Sequence, residues 1–196
     1  MNHATIEQLT EKITVKIIIP GKNHGHGTGF FITPGYIVTC AHVLRSSIEQ
    51  TVLFSMPGSE NVLSAKVIHS FEPRIDLAIL QVNPKFMRFC TETRFCAYVG
   101  NDINSRDPCF SFGYTDPKNG NPGGDPTTLE CEGWAGEQHT IIKLKGGQIR
   151  PGMSGAPLLN QRTGRICGVI NKTRHRQIDL GCEALSLKVI FEEFPA

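Results

Sequence analysis

Long apolar runs, an excess of charge of either sign and a pairing pattern of cysteines are all missing from this chain of 196 residues. Its 20 Lys+Arg against 18 Asp+Glu leave a net charge of +2, too little to hold a polyanion or an anionic lipid surface. Neither nucleic acid nor a membrane is therefore expected as a partner. The strongest apolar stretch near the start, residues 17–20, follows Lys16; it falls far short of a bilayer span, or of a secretory core of about 7–15 residues. The seven cysteines, Cys40, Cys90, Cys96, Cys109, Cys131, Cys167 and Cys182, are odd in number and show no CxxC spacing, which excludes a complete disulfide framework. Most lie in apolar runs, where a free thiol packs as a small hydrophobe. The expectation is a cytoplasmic protein without structural disulfides. Repeats and low-complexity tracts are absent as well.

What the chain does have is a succession of short runs rich in Val, Ile, Phe and Thr, broken by Gly, Pro, Asn and Asp. Strands are predicted at residues 13–20, 29–33, 36–40, 51–54, 63–70 and 77–82. A second group follows at 95–99, 109–114, 129–135, 140–144, 156–160, 165–171 and 184–187. Such spacing, without helical patterns between the runs, argues for an all-β fold of sandwiches or barrels rather than βαβ units. Pro84 and the mixed charge after it suggest a connector over residues 84–94, between units at 1–83 and 95–196. Residues 115–127 are rich in proline and glycine and read as a long exposed loop. Leu187, Ile190, Phe191 and Phe194 repeat with helical spacing, and residues 4–12 predict a short helix at the other end.

Three segments carry residue types suited to acyl chemistry. In the first, an apolar hairpin beginning Gly27-Thr28-Gly29 leads through Thr39-Cys40-Ala41 to one imidazole, His42, at a predicted strand end. Histidine takes and returns a proton near neutral pH, which is what a general base requires; a strand-end histidine is also commonly structural or merely exposed. In the second, Asp76 stands immediately ahead of Leu77-Ala78-Ile79-Leu80. A carboxylate beside such a run is costly to bury without a hydrogen bond, so Asp76 either ends the strand in solvent or accepts from an imidazole N–H. The third, Gly152-Met153-Ser154-Gly155-Ala156-Pro157, places a serine in a tight glycine turn. Such a turn can expose Oγ and converge backbone N–H groups on a developing oxyanion, and serine needs an adjacent base to become a nucleophile. The alternative is an ordinary glycine-rich turn.

In order and local context the three segments resemble the His–Asp–Ser arrangement of trypsin-like serine proteases. The stretch from Leu158 to Ile170 is similar to the strand pair after the serine in bacterial HtrA-type enzymes, and the resemblance extends over roughly residues 13–191. It implies two six-stranded antiparallel β-barrels of chymotrypsin-like fold with short terminal helices, and a site in the cleft between the barrels. It implies His42 as general base, Asp76 as its orienting partner, Ser154 as nucleophile, and the N–H groups of Gly152 and Ser154 as the oxyanion hole. By the same resemblance, Gln148, Ile149 and Arg150 wall the substrate pocket on one side. Val169, Ile170, Asn171 and Lys172 wall it on the other and offer an edge for β-pairing with a polypeptide substrate. Glu183, near the pocket base, either selects a basic side chain or is an exposed glutamate at a strand start. The run from Lys172 through Arg174 to Arg176 either attracts acidic segments or is a solvated loop.

Two departures stand out. Secreted relatives carry an aspartate immediately before the nucleophile, which pairs with a freed amino terminus on activation; Met153 stands there, so activation of that kind is not expected. The cysteines do not match the secreted enzymes' disulfides. Both point to an intracellular branch, bacterial or virus-like, without a PDZ domain. The expected function is a serine endopeptidase that uses no cofactor and no metal and is regulated by a partner protein or an associated domain. The alternatives are a latent or inactive protease-fold binding module, and an esterase using the same acyl chemistry. His24 and His26 lack a third metal ligand within sequence reach. Cys40 is expected to face the opposite side of an extended strand from His42, and so reads as a buried thiol rather than a nucleophile.

Overall fold

The computed structural model describes residues 4–18, 26–44, 51–59, 61–86, 97–115, 124–174 and 180–193. Helix α1 (Ile6–Ile13) opens it under a reciprocal cap: Thr5 Oγ1 accepts from the Gln8 N–H and Gln8 Oε1 accepts from the Thr5 N–H. Two donors that a helix start leaves orphaned are thereby satisfied. Six strands follow: β1 (Thr14–Ile18), β2 (His26–Thr33), β3 (Tyr36–Thr39), β4 (Thr51–Ser55), β5 (Val62–Ser70) and β6 (Ala78–Val82). Six more are β7 (Pro108–Gly113), β8 (Asp125–Ala135), β9 (Ile141–Lys145), β10 (Pro157–Asn160), β11 (Arg165–Thr173) and β12 (Cys182–Ser186). A single helical turn, α2 (Ala41–Leu44), leaves β3, and α3 (Lys188–Glu193) follows β12.

The strands close into two antiparallel barrels, β1-β2-β3-β6-β5-β4 and β7-β8-β9-β12-β11-β10. The second repeats the path of the first, and this is the chymotrypsin-like double barrel that the resemblance implies. Alternation drives the closure. In β4, Val52 and Phe54 point inward between exposed or half-exposed neighbours, and in β9 Ile142 and Leu144 do the same. Closing each sheet pairs its edges, which removes open ladders from solvent. Val15, Ile17, Phe30 and Phe54 fill the first barrel, and Cys109, Cys131, Ile142, Leu144 and Leu158 the second. Phe110, Phe112 and Tyr114, from β7 and its exit, join the first barrel's apolar cluster, so the core continues across the junction.

The structure differs from expectation at three places. The predicted strand at 95–99 is absent among its described residues; Val99 makes one isolated bridge to Ile166. Its alternation misleads because Tyr98 is largely exposed, and the segment only borrows the start of β11, with Ile166 N–H donating to Tyr98 O and Gly100 N–H to Ile166 O. β8 begins at Asp125, so the expected loop ends earlier; residues 116–123 lie outside the described residues. His42 sits in the turn α2 rather than at a strand end. Of the expected connector, Pro84–Phe86 forms a 3-10 turn, and 87–94 lie outside the described residues. Cys40, Cys109, Cys131, Cys167 and Cys182 are free and buried, while Cys90 and Cys96 also lie outside the described residues. No described helix is long and apolar enough to cross a membrane.

One polar cluster holds the far end of the second barrel. Asp107, 6 % exposed, receives Arg162 Nε on Oδ1 (2.7 Å); its Oδ2 receives Arg162 Nη2 (3.0 Å), Asn160 Nδ2 (2.8 Å) and the Asn104 N–H (2.8 Å). The Arg162 hydrogen bonds, joined by the other donors, hold this carboxyl at about 2 against an ordinary 3.8. A depressed carboxylate stabilises the fold fully above its unfolded value, and that stability is lost as pH falls through the folded one. Urea unfolding of the wild type should therefore weaken from about pH 4 towards pH 2. Asp107→Asn should cost on the order of 2–4 kcal/mol at pH 7 and flatten this acid limb. An unchanged midpoint at pH 7 would contradict the assignment.

Candidate active site

The β2–β3 hairpin delivers the imidazole. Gly27 and Gly29 let β2 lie close against its neighbours: a Cβ on Gly27 would stand 2.4 Å from Val43 Cγ1, and one on Gly29 2.8 Å from Ile37 Cγ2. Thr28, between them, presents its side chain to the opposite face. After Thr39 the chain turns into α2, and the loop before β6 meets the start of that turn. The Ala41 N–H donates to Asp76 O (3.2 Å) and the His42 N–H to Asp76 Oδ1 (2.8 Å), while His42 Nδ1 lies 2.6 Å from Asp76 Oδ2. Of the two accounts of Asp76, the geometry selects the imidazole partner over the solvated strand start. An ionised carboxylate only accepts, so Nδ1 carries the proton and neutral His42 keeps its lone pair on Nε2.

Ser154 comes from the second barrel, on the turn into β10. Pro151 has a ring-fixed φ, Gly152 has φ 98°, and the Met153 N–H donates to Arg150 O (3.1 Å). Proline then glycine at positive φ within such a bond is a type II turn. The N–H groups of Met153, Gly155 and Ala156 donate to the carbonyls of Arg150, Ile170 and Met153. Those of Gly152 and Ser154 have no acceptor among the described residues. Met153 is fully buried in the second barrel's core, so where secreted relatives anchor this turn by a charge, apolar packing anchors it here.

The seryl hydroxyl is not on His42. Ser154 Oγ donates to Asn171 O at 2.8 Å, and no hydrogen bond joins it to the imidazole. Asn171 is the extra residue of a β-bulge, since Ile170 pairs with Ala184 and Lys172 with Glu183, and bulges re-aim backbone groups in this way. The sequence holds no signal for that bulge.

The expected pocket residues divide. Ile149, Val169 and Ile170 have buried side chains in the cores, so Val169 and Ile170 border the site through their backbones. Gln148 is exposed, and Arg150 pairs with Asp125 (3.0 Å). Glu183 is paired with Lys172 (3.3 Å) and lies in register with Lys143 on its other side. Arg174 bonds Glu132; His175 and Arg176 lie outside the described residues, as does His24. His26 opens β2, with Nε2 buried and unpartnered among the described residues.

Cys40 corrects an expectation. Because the chain leaves the extended conformation after Thr39, alternation no longer applies, and the thiol lies on the same side as His42 and Asp76. Ligand atoms of these three residues all stand within 4.8 Å of one another. They are the only described cluster with metal-ligand chemistry; yet Nδ1 and Oδ2 are bonded to each other, and Cys40 Sγ donates to Ile170 O (3.3 Å). Burial, aided by the Asp76 charge, pushes this thiol well above its ordinary range, which keeps it an unreactive neutral group.

Comparison with known proteins agrees with this fold. The family profile described as the trypsin-like peptidase domain matches residues 27–169, and the chain belongs to that family. No curated protein sequence matches it. Among solved structures it is similar to the Rv3671c protease from M. tuberculosis in its active form, with TM-score 0.76 and 20% identity over 97% of this chain and 84% of that one. The HtrA-type protease AlgW, in a variant solved with a tripeptide, gives TM-score 0.76 and 17% identity over 98% of this chain and 62% of that one. The serine endoprotease from Yersinia pestis gives 0.73 and 16% over 98% and 66%.

The tightest point of the site is Gly155. It has φ 93°, and a Cβ there would fall 1.9 Å from Thr28 O and 2.5 Å from Thr39 Oγ1. Thr28 O is backbone and Thr39 Oγ1 is hydrogen-bonded to it, so neither can yield without breaking a buried contact. Gly155→Ala should destabilise the protein by about 3 kcal/mol or more in urea unfolding; a midpoint equal to that of the wild type would refute this close approach.

Proposed function

We propose that the protein is a serine endopeptidase that hydrolyses peptide bonds through an acyl-enzyme on Ser154, with His42 as general base and Asp76 holding its tautomer. The observation that carries this reading is the 2.6 Å contact between His42 Nδ1 and Asp76 Oδ2, in a fold whose glycine turn leaves the N–H groups of Gly152 and Ser154 without an acceptor among the described residues. In the reaction, Ser154 Oγ first turns from Asn171 O to His42 Nε2. As Oγ bonds the scissile carbonyl carbon, its proton passes to Nε2 and the carbonyl π electrons move onto oxygen, where the two open N–H groups receive them. Asp76 stabilises the imidazolium. The C–N bond then breaks, the amine leaves with the proton from Nε2, and water repeats the sequence to free the acid and restore Ser154.

Past Ile170 the β10 side of β11 has no strand partner among the described residues, which suits pairing with an extended polypeptide. A basic substrate side chain would compete with Lys172 for Glu183, so strong selection by Glu183 alone is not proposed. Five buried free thiols suit a reducing compartment, and we place the protein in the cytoplasm. The second reading, a latent protease-fold module awaiting a regulatory partner, is favoured by the 2.8 Å bond that holds Ser154 Oγ on Asn171 O.

Intact-mass measurement after treatment with a fluorophosphonate separates the two. Wild type should gain one adduct, and Ser154→Ala and His42→Ala should gain none while remaining folded. No adduct on folded wild type would reject the active endopeptidase and leave the latent module. Parallel hydrolysis of a casein and a simple ester then distinguishes peptidase from esterase.

A further inference from the structure

We infer that Thr28, on the first barrel, is a positioning residue that holds the turn of Gly152 and Ser154 in the second barrel open for an oxyanion; this rests on the reading of Ser154 as nucleophile. Every polar atom of Thr28 is engaged at the barrel junction. Its Oγ1 donates to Gly152 O (2.8 Å) and accepts from the Tyr114 N–H (2.9 Å). Its N–H donates to Ser154 O (3.0 Å), and its carbonyl accepts from Thr39 Oγ1 (2.7 Å). The side chain is fully buried, so no solvent competes for these bonds.

The consequence follows from which groups are held. Gly152 and Ser154 each offer a carbonyl and an N–H. Thr28 takes both carbonyls, and both N–H groups stay without an acceptor among the described residues. A glycine at φ 98° has little intrinsic preference for its peptide orientation. Fixing the Gly152 carbonyl fixes the plane of the 152–153 peptide, which lies between the two open N–H groups and sets their relative direction, and fixing the Ser154 carbonyl holds the 154–155 peptide two residues further on. If the Thr28 hydroxyl is removed, the Gly152 carbonyl and the Tyr114 N–H both lose a buried partner, and turning that peptide over is the direct way to recover one. Buried Met153 holds the turn from the core side; its N–H, in the same peptide as the Gly152 carbonyl, closes the turn on Arg150 O, and Thr28 Oγ1 holds the carbonyl end of that peptide. The Thr28 hydroxyl thus bonds two groups at once. The flanking Gly27 and Gly29 have no room for any side chain.

The test compares Thr28→Val, which keeps the shape and removes the hydroxyl, with Thr28→Ser, which keeps the hydroxyl. Saturation kinetics of fluorophosphonate labelling separate reagent binding from the maximal rate. Thr28→Val should lower the maximal rate about 10–100-fold, because a misaligned oxyanion donor acts on the transition state, and should change the half-saturating concentration less than about threefold. Thr28→Ser should stay within about threefold of wild type in both. Hydrogen exchange at the Met153 N–H, which closes the type II turn, should quicken in Thr28→Val and not in Thr28→Ser. Wild-type labelling and exchange in folded Thr28→Val would overturn the inference. If wild type takes no label, the endopeptidase reading has failed, and the Met153 exchange rate decides this one alone: quickened supports it, unchanged overturns it. If Thr28→Val does not fold, Thr28→Ala is measured against the same outcomes.

Discussion

The backbone of β2 at Thr28 and the backbone at Gly155 approach until no Cβ can stand between them, and the geometry of the site depends on that approach. Thr39 Oγ1 donates to Thr28 O, and Thr28 N–H donates to Ser154 O. Three residues after Thr39 comes His42. A short chain of hydrogen bonds therefore runs from the strand that carries the imidazole, through Thr28, to the residue that carries the hydroxyl. Beside the apolar cluster that crosses the junction, this connection fixes the two barrels' backbones to one another, and it is made of buried polar atoms.

The charges around the site are few and each has a defined neighbour. Asp76 receives the backbone N–H of His42 on one oxygen and Nδ1 on the other, so the carboxylate fixes both the ring and the start of α2. Cys40 lies beside it as a neutral, buried thiol that donates to Ile170 O, the same carbonyl that accepts the Gly155 N–H. Met153 replaces an ion-paired anchor by packing. The turn is held by packing and neutral hydrogen bonds, and the Ser154 hydroxyl is held by its bond to Asn171 O. That bond is weak enough, on the order of 1 kcal/mol net, for a substrate or partner to displace it.

The strands were legible because each barrel needs period-two alternation, and runs such as Thr51–Ser55 and Ile141–Lys145 supply it. The run at 95–99 has similar composition, yet Tyr98 points to solvent and no neighbouring strand is left to take a full ladder. His42, Asp76 and Ser154 were singled out by the order and context in which they resemble a known family; the structure joins His42 to Asp76 and holds Ser154 Oγ on Asn171 O. Cys40 was misjudged because the strand ends one residue before it. The contacts of Thr28, and the bulge that turns the Asn171 carbonyl to Ser154, were not legible: these partners lie 124 residues and 17 residues apart, and no local pattern encodes such contacts. The pairing of Glu183 with Lys172 and of Arg150 with Asp125 was illegible for the same reason, since these residues meet only in the folded chain.

The most direct measurement is a crystal structure of the wild-type chain soaked with a peptide boronic acid, which takes a tetrahedral form on an activated serine. The account predicts boron bonded to Ser154 Oγ, the hydroxyl moved off Asn171 O, and His42 Nδ1 still on Asp76. One boronate oxygen should lie at about 2.7–3.1 Å from both the Gly152 and Ser154 N–H nitrogens. A boronate that leaves Ser154 on Asn171 O, or whose oxygen meets neither N–H, would contradict it.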